Sequence, residues 1–234
     1  MKLSHGLAAV GLTFAALAAH AEVTITVTAV TDYNFRGISL SANDPALQGS
    51  IDWAHDSGFY AGAWASNIDS GDDVDGDIEV DLYVGFAGSI NDDLGYDVGL
   101  VYYTYPDSDD IDEYPEIYAG LSYKQFDIKQ WYTNDSSGYD LDGFYTEVNG
   151  TFELPANFGL ALHAGYSYGD AFDGTEYYDY SIGVTYTLGH FDLGLSYVDT
   201  SLDKNDELYS KGDVFKSTGR AIFSISTTFP WSQE

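Results

Sequence analysis

The sequence predicts an all-β protein, a transmembrane up-and-down antiparallel β-barrel of about 12 strands. Three observations point there. Segments such as "DIEVDLYVGF" (77–86) alternate carboxylates with aliphatics at period two and show no helical spacing. An export leader opens the chain. The connections between alternating segments are short and long in strict turn, as in a barrel whose two ends face different compartments.

The leader is "MKLSHGLAAVGLTFAALAAHA", with Lys2, an apolar run from Leu7 to Ala19, and Ala19 and Ala21 flanking His20 as an A-x-A cleavage site. Residues 1–21 are therefore expected to be a signal peptide and 22–234 the barrel, exported through the periplasm to the outer membrane of a Gram-negative bacterium. Removing Lys2 with the leader leaves seven basic residues against 38 acidic ones, a formal net charge of −31. That charge excludes a nucleic-acid partner, which needs a basic footprint. The chain has no cysteine, so no disulfide or thiolate metal site is expected. Beyond the leader no run of 18 apolar residues occurs, which leaves a closed barrel as the route into a membrane.

Twelve segments carry strand periodicity: Val23–Phe35, Ala46–His55, Phe59–Asn67, Asp77–Ile90, Leu94–Tyr105, Glu113–Lys124, Phe126–Asn134, Phe144–Leu154, Phe158–Gly169, Tyr177–Leu188, His190–Thr200 and Arg220–Phe229. Most are near the 9–11 residues of a tilted membrane strand. Connections after even-numbered segments are tight turns at 56–58, 91–93, Lys124–Gln125, 155–157 and Gly189. Those after odd-numbered segments are polar loops at 36–45, 68–76, 106–112, 135–143, 170–176 and 201–219. A soluble Greek-key sandwich has no reason to sort its loops by length in this way.

The apolar set on each segment is expected to face lipid, for example Val23, Ile25 and Val27, then Ile78, Val80, Leu82 and Val84, then Leu193, Leu195 and Tyr197. Tyr33, Phe35, Tyr132, Phe144, Tyr168 and Tyr178 fall toward the loop side, and Trp53, Phe152, Phe191 and Trp231 toward the turn side, as two interfacial girdles. The other face is polar or small, and its carboxylates call for a hydrated lumen. Alternation does not assign faces to the third and seventh segments, which leaves Trp64, Lys129 and Trp131 unplaced.

"TDYNFRGIS" (31–39), "GFYAGAWASN" (58–67), "IEVDLYVGFAG" (78–88) and "YYTYP" (102–106) resemble the outer-membrane porins of the TorF type, also described as Gcw-type conserved hypothetical proteins of proteobacteria. The resemblance implies a barrel with a channel role. It brings no substrate, cofactor or catalytic residue.

Candidate pore-lining residues are Asp32, Glu79, Asp81, Glu116, Glu147 and Asp179 near the loop-side mouth, together with Arg36 and Arg220. Charge of one sign in a low-dielectric wall concentrates counter-ions, so small polar solutes or cations are the expected cargo. Arg36 and Arg220 fall at the loop-side end of the seam where the first and last strands meet, placed to clamp Asp32 or another rim acid. The loop "DSGDDVDGD" (69–77) fails as an EF-hand, because Gly71 stands where the first Asp ligand belongs and Leu82 where the bidentate Glu belongs. Divalent cations are still expected partners of this loop and of "DSDDIDE" (107–113), alongside outer-membrane lipid and lipopolysaccharide. An enzyme is not expected: a barrel hydrolase needs Ser, His and an acid clustered, and the nearest match is His163 with Ser167 on one lumenal face. A non-conducting surface-binding or structural barrel is the alternative to a channel.

Overall fold

Period-two alternation lets a strand serve two solvents at once, and closing the sheet leaves no unpaired edge in lipid. The computed structural model describes residues 22–71, 76–202 and 215–231. The expected leader, part of the 69–77 loop, and Lys204 and Lys211 of the last long connection lie outside the described residues.

The wall consists of β1 (Glu22–Val30), β4 (Ala46–Ala54), β5 (Phe59–Asn67), β6 (Ile78–Ser89), β7 (Leu94–Thr104), β8 (Tyr114–Tyr123), β9 (Phe126–Thr133), β10 (Gly143–Leu154), β11 (Phe158–Tyr168), β12 (Tyr177–Leu188), β13 (Phe191–Thr200) and β14 (Arg220–Phe229). Each wall strand pairs antiparallel with the next, and β1 closes the barrel on β14, with Ile25 opposite Phe229 and Val30 opposite Ser224. Thr26 and Thr228 hydroxyls meet across that seam at 2.9 Å. Turns and loops alternate as the sequence implies. Lys124, Ala156, Asn157 and Gly189 take positive φ, the conformation that tight hairpin turns require.

The first wall strand ends five residues sooner than its alternation suggests. After Val30 the chain leaves the wall and folds inward as a miniature hairpin of β2 (Asn34–Phe35) and β3 (Ile38–Ser39). Arg36 (φ 49°) and Gly37 (φ 85°) form its two-residue turn, which demands positive φ at both positions. A Cβ on Gly37 would lie 2.3 Å from Thr200 Cγ2, so only glycine fits the tip against the wall. "NFRGIS" is thus a turn motif, and Tyr33 and Phe35 belong to the hairpin rather than to a lipid-facing girdle. Tyr33 is 3% exposed and packs on Trp64, while Phe35 meets Tyr103 edge-on.

The remaining face assignments hold. Leu47, Ile51, Leu82, Ile182 and Leu195 are each half exposed or more on the outside of the wall, which forms the apolar band. Tyr132, Phe144, Tyr168, Tyr166 and Tyr178 stack in sequence around the loop-side exterior, with ring centroids 4.4–5.3 Å apart. Phe229, Trp231 and His190 stack at the turn side. Trp64, Lys129 and Trp131, which alternation left unplaced, point into the barrel beside Asp81, Gly120 and Tyr118 on the neighbouring strands.

Inside, tyrosine and glycine alternate between neighbouring strands. The Tyr60 ring lies across Gly85 and the Tyr145 ring across Gly165, where an added Cβ would come within 2.2 Å and 2.1 Å of the phenol atoms. A lumen rich in tyrosine therefore needs glycine opposite each ring. Because the Tyr60 hydroxyl is also held by Asp97 at 2.6 Å, the ring cannot swing clear. Gly85→Ala should cost about 1–3 kcal/mol through overpacking, read as a lower temperature of heat-induced mobility shift, and adding Tyr60→Phe, which removes the anchoring hydroxyl and one of the clashing atoms, should recover part of that loss.

Candidate functional site

The sequence-predicted site residues converge in the loop-side half of the lumen, where the hairpin crosses the barrel. Asp32 sits at its base. One carboxylate oxygen accepts from Ser39, a short bond, and from Ser41 Oγ at 3.3 Å, and the other accepts a short bond from Arg220 Nε. Arg220, at the start of β14, also donates to Gly37 O at 2.9 Å and to Asn34 Oδ1 at 2.9 Å. One guanidinium fork thus fixes the base, β2 and the turn of the hairpin to the seam.

Arg36 does something different from its seam neighbour. Carried on the turn tip, it spans to β8 and donates twice to Glu116, at 2.9 Å and 2.5 Å. Its guanidinium lies 4.3 Å from the Tyr145 ring centroid and 4.8 Å from that of Phe35. Tyr103 donates a third bond to Glu116 at 3.0 Å. Burial works against the Arg36 charge, but the Glu116 carboxylate outweighs it and holds the guanidinium pKa above its ordinary value.

Two further clusters line the wall below. Lys129 on β9 donates to Asp97 on β7 at 3.0 Å with its ammonium 4.4 Å from the Tyr118 ring centroid. Tyr60 and Tyr118 hydroxyls share a short bond beside it. On β10–β12, His163 Nε2 meets Asp179 at 2.7 Å and Nδ1 meets Asn149 Oδ1 at 2.6 Å, with Glu147 at 3.8 Å. Glu147 also accepts from Trp131 Nε1 at 2.8 Å and from Asn149 Nδ2 at 3.1 Å. Glu79 and Asp81 on β6 are buried in the same layer, where the Tyr105 hydroxyl makes a long 3.4 Å contact to Glu79 and the Tyr33 hydroxyl faces the same carboxylate.

The hydrated lumen expected from composition is corrected here. Asp32, Glu79, Asp81, Glu116, Glu147 and Asp179 are all buried, and cationic and phenolic side chains rather than bulk water satisfy most of them. The lumen opens toward the turns, where Ser122, Thr151 and Glu153 are exposed. Lys129, Asp97 and His163 as ion-pair members escaped the sequence reading. Lys129 keeps the inward face of Asp127, but Gln130 on the outward face blurs the alternation of that strand and hid its placement.

The hydrolase arrangement does not form at His163 and Ser167. Both histidine nitrogens are committed to other groups, and the fully buried Ser167 Oγ has no hydrogen-bond partner. Among the described residues, no group of three or more His, Asp or Glu surrounds a single point. In the 107–113 loop, Asp107 accepts the backbone N–H groups of Asp77 and Ile78 at 3.0 Å and 3.3 Å, tying two loops together. Most of the acids in the 69–77 loop lie outside the described residues.

Arg220 tests the architecture. Arg220→Ala leaves the buried Asp32 carboxylate without its cation and should destabilise the barrel by about 3–5 kcal/mol. Pairing it with Asp32→Asn should recover part of that loss, measured by urea unfolding in lipid vesicles.

Comparison with solved structures gives the same architecture. The KdgM porin superposes with a TM-score of 0.56 at 8% identity, over 88% of this chain and 99% of that one. NanC porin gives 0.56 at 14% identity, over 88% and 98%. An outer membrane channel from Pseudomonas putida F1 gives 0.50 at 14% identity, over 92% and 97%. At such identities the likeness is one of fold. No curated protein matches the sequence. The family described as "Bacterial protein of unknown function (Gcw_chp)" matches residues 15–229, nearly the whole length, and the chain belongs to that family.

Proposed function

We propose that the protein is an outer-membrane channel for passive diffusion of small solutes that favours cations or neutral polar molecules. One observation carries this reading: a closed barrel with an apolar exterior encloses a lumen in which carboxylates outnumber cationic groups. Among the described residues, Asp32, Glu79, Asp81, Asp97, Glu116, Glu147 and Asp179 meet Arg36, Lys129, His163 and Arg220 in the buried layer, seven acids against four basic groups. Such a surplus inside a low-dielectric wall raises the local concentration of positive ions and repels anions. An acidic oligosaccharide such as the oligogalacturonate in the KdgM complex is the wrong sign for this lumen.

The hairpin layer is the constriction, held on one side by Arg220 and on the other by Arg36 and Glu116. The aromatic bands and apolar wall suit outer-membrane lipid, with lipopolysaccharide around the loops and divalent cations screening the acids of the 107–113 segment. The reading includes no cofactor and no catalytic role. The packed hairpin layer favours a second reading, a non-conducting barrel that works through its surface.

Single-channel recording separates the two. The channel reading expects a small, resolved conductance with a reversal potential toward that of potassium in a potassium chloride gradient. Neutralising Glu79, Asp81 and Glu116 should weaken that preference. Arg36→Ala frees the hairpin tip and should raise conductance about twofold or more. An inserted barrel that stays silent in both forms overturns the channel reading.

A further inference from the structure

Five of the seven buried lumenal acids among the described residues have a basic side chain at ion-pair distance, two of them sharing one histidine, and two acids have none. Arg220 pairs Asp32, Arg36 pairs Glu116, Lys129 pairs Asp97, and His163 lies between Glu147 and Asp179. Among the described residues, no cationic side chain pairs with Glu79 or Asp81. Yet these are 1% and 2% exposed, and Glu79 Oε2 and Asp81 Oδ1 have no hydrogen-bond partner. Uncompensated carboxylates at such depth are strongly disfavoured.

A third group points into the same place. The Tyr33 hydroxyl, on a side chain 3% exposed, faces the Glu79 carboxylate without completing a well-formed hydrogen bond to it. Its backbone is pinned at the hairpin base by the bond from Tyr33 N to Ser41 Oγ, 2.9 Å, and its ring by Trp64 at 5.2 Å. Glu79 and Asp81 occupy successive inward positions of β6, about 7 Å apart along the strand, so both carboxylates reach a point between them.

We propose that Glu79, Asp81 and Tyr33 bind one divalent cation of the calcium class beneath the hairpin. Two carboxylates match its charge, and with the phenol they offer about five hard oxygens, which water completes. Calcium suits this set better than magnesium because it accepts irregular geometry and bidentate carboxylates. Bound there, the ion ties the hairpin base to β6 and supplies the cation that neither carboxylate has. This inference stands apart from the channel reading, since it concerns binding and not conduction.

The test is calcium titration of the refolded, chelator-stripped barrel, followed by calorimetry and by the calcium dependence of its heat-induced mobility shift. The expected result is one saturable site per chain and a raised unfolding temperature. Both should be lost in the Glu79→Gln/Asp81→Asn variant, which without calcium should be more heat-resistant than the parent. Tyr33→Phe should weaken the affinity about tenfold, and Asp109→Asn/Asp110→Asn, which removes two exposed loop carboxylates and keeps the Asp107 contacts to the start of β6, should leave the site intact. Should the double variant not fold, Tyr33→Phe and Glu79→Gln alone decide by the same affinity loss. The proposal is overturned by an absent saturable site in the parent, by an unchanged titration in the Glu79, Asp81 or Tyr33 variants, or by loss of the site in the loop variant.

Discussion

A carboxylate inside a barrel wall has lipid behind it and a narrow lumen in front, so its charge must be met at close range. This constraint organises the loop-side half of the protein. Three basic side chains, Arg36, Lys129 and Arg220, and the imidazole of His163 each hold acids that come from other strands. The pairs run across the lumen and down the wall, so the same contacts that satisfy charge also fix the inward hairpin and fill the loop-side half of the lumen. Charge compensation and the anchoring of the hairpin are one arrangement rather than two.

The wall was legible in the sequence because its code is local. Alternation at period two assigns each side chain to lipid or lumen, and the short turns and long loops give strand count and direction without any long-range information. All twelve wall strands follow from it, from β1 at Glu22–Val30 to β14 at Arg220–Phe229. The hairpin was not legible in that way. Asn34 and Phe35 continue the alternation of the first strand, and only the Arg36–Gly37 pair marks a turn. Reading that turn needs the knowledge that Arg36 adopts positive φ, an uncommon state for a residue without a short polar side chain.

Site residues divide along the same line. Their position on the lumenal face was readable from spacing, and the seam narrowed the partner of Arg220 to Asp32 or another rim acid, because seam residues are neighbours in any closed barrel. The partner of Arg36 was not, since Glu116 lies 80 positions away on the opposite wall. Composition alone also misled about the interior. A high count of carboxylates implies water only if nothing else answers them, whereas here tyrosine hydroxyls and a few cations do so, and the aromatic rings fill space that water would need.

Tyrosine is the residue that makes this interior workable. It brings a ring large enough to fill a barrel lumen and a hydroxyl that donates to a carboxylate without adding charge, as Tyr60 does for Asp97 and Tyr103 for Glu116. The ring must lie against the wall, which is why glycine stands at Gly85 and Gly165 on the adjacent strands. Replacing these phenols by phenylalanine would keep the volume and leave the acids under-satisfied, while replacing the acids would leave the hydroxyls searching for acceptors. The many tyrosines and glycines of the sequence are therefore coupled to its acidity. A barrel with this few basic residues can carry so many inward carboxylates only because neutral donors share the task, and Glu79 and Asp81 mark the place where that supply ends.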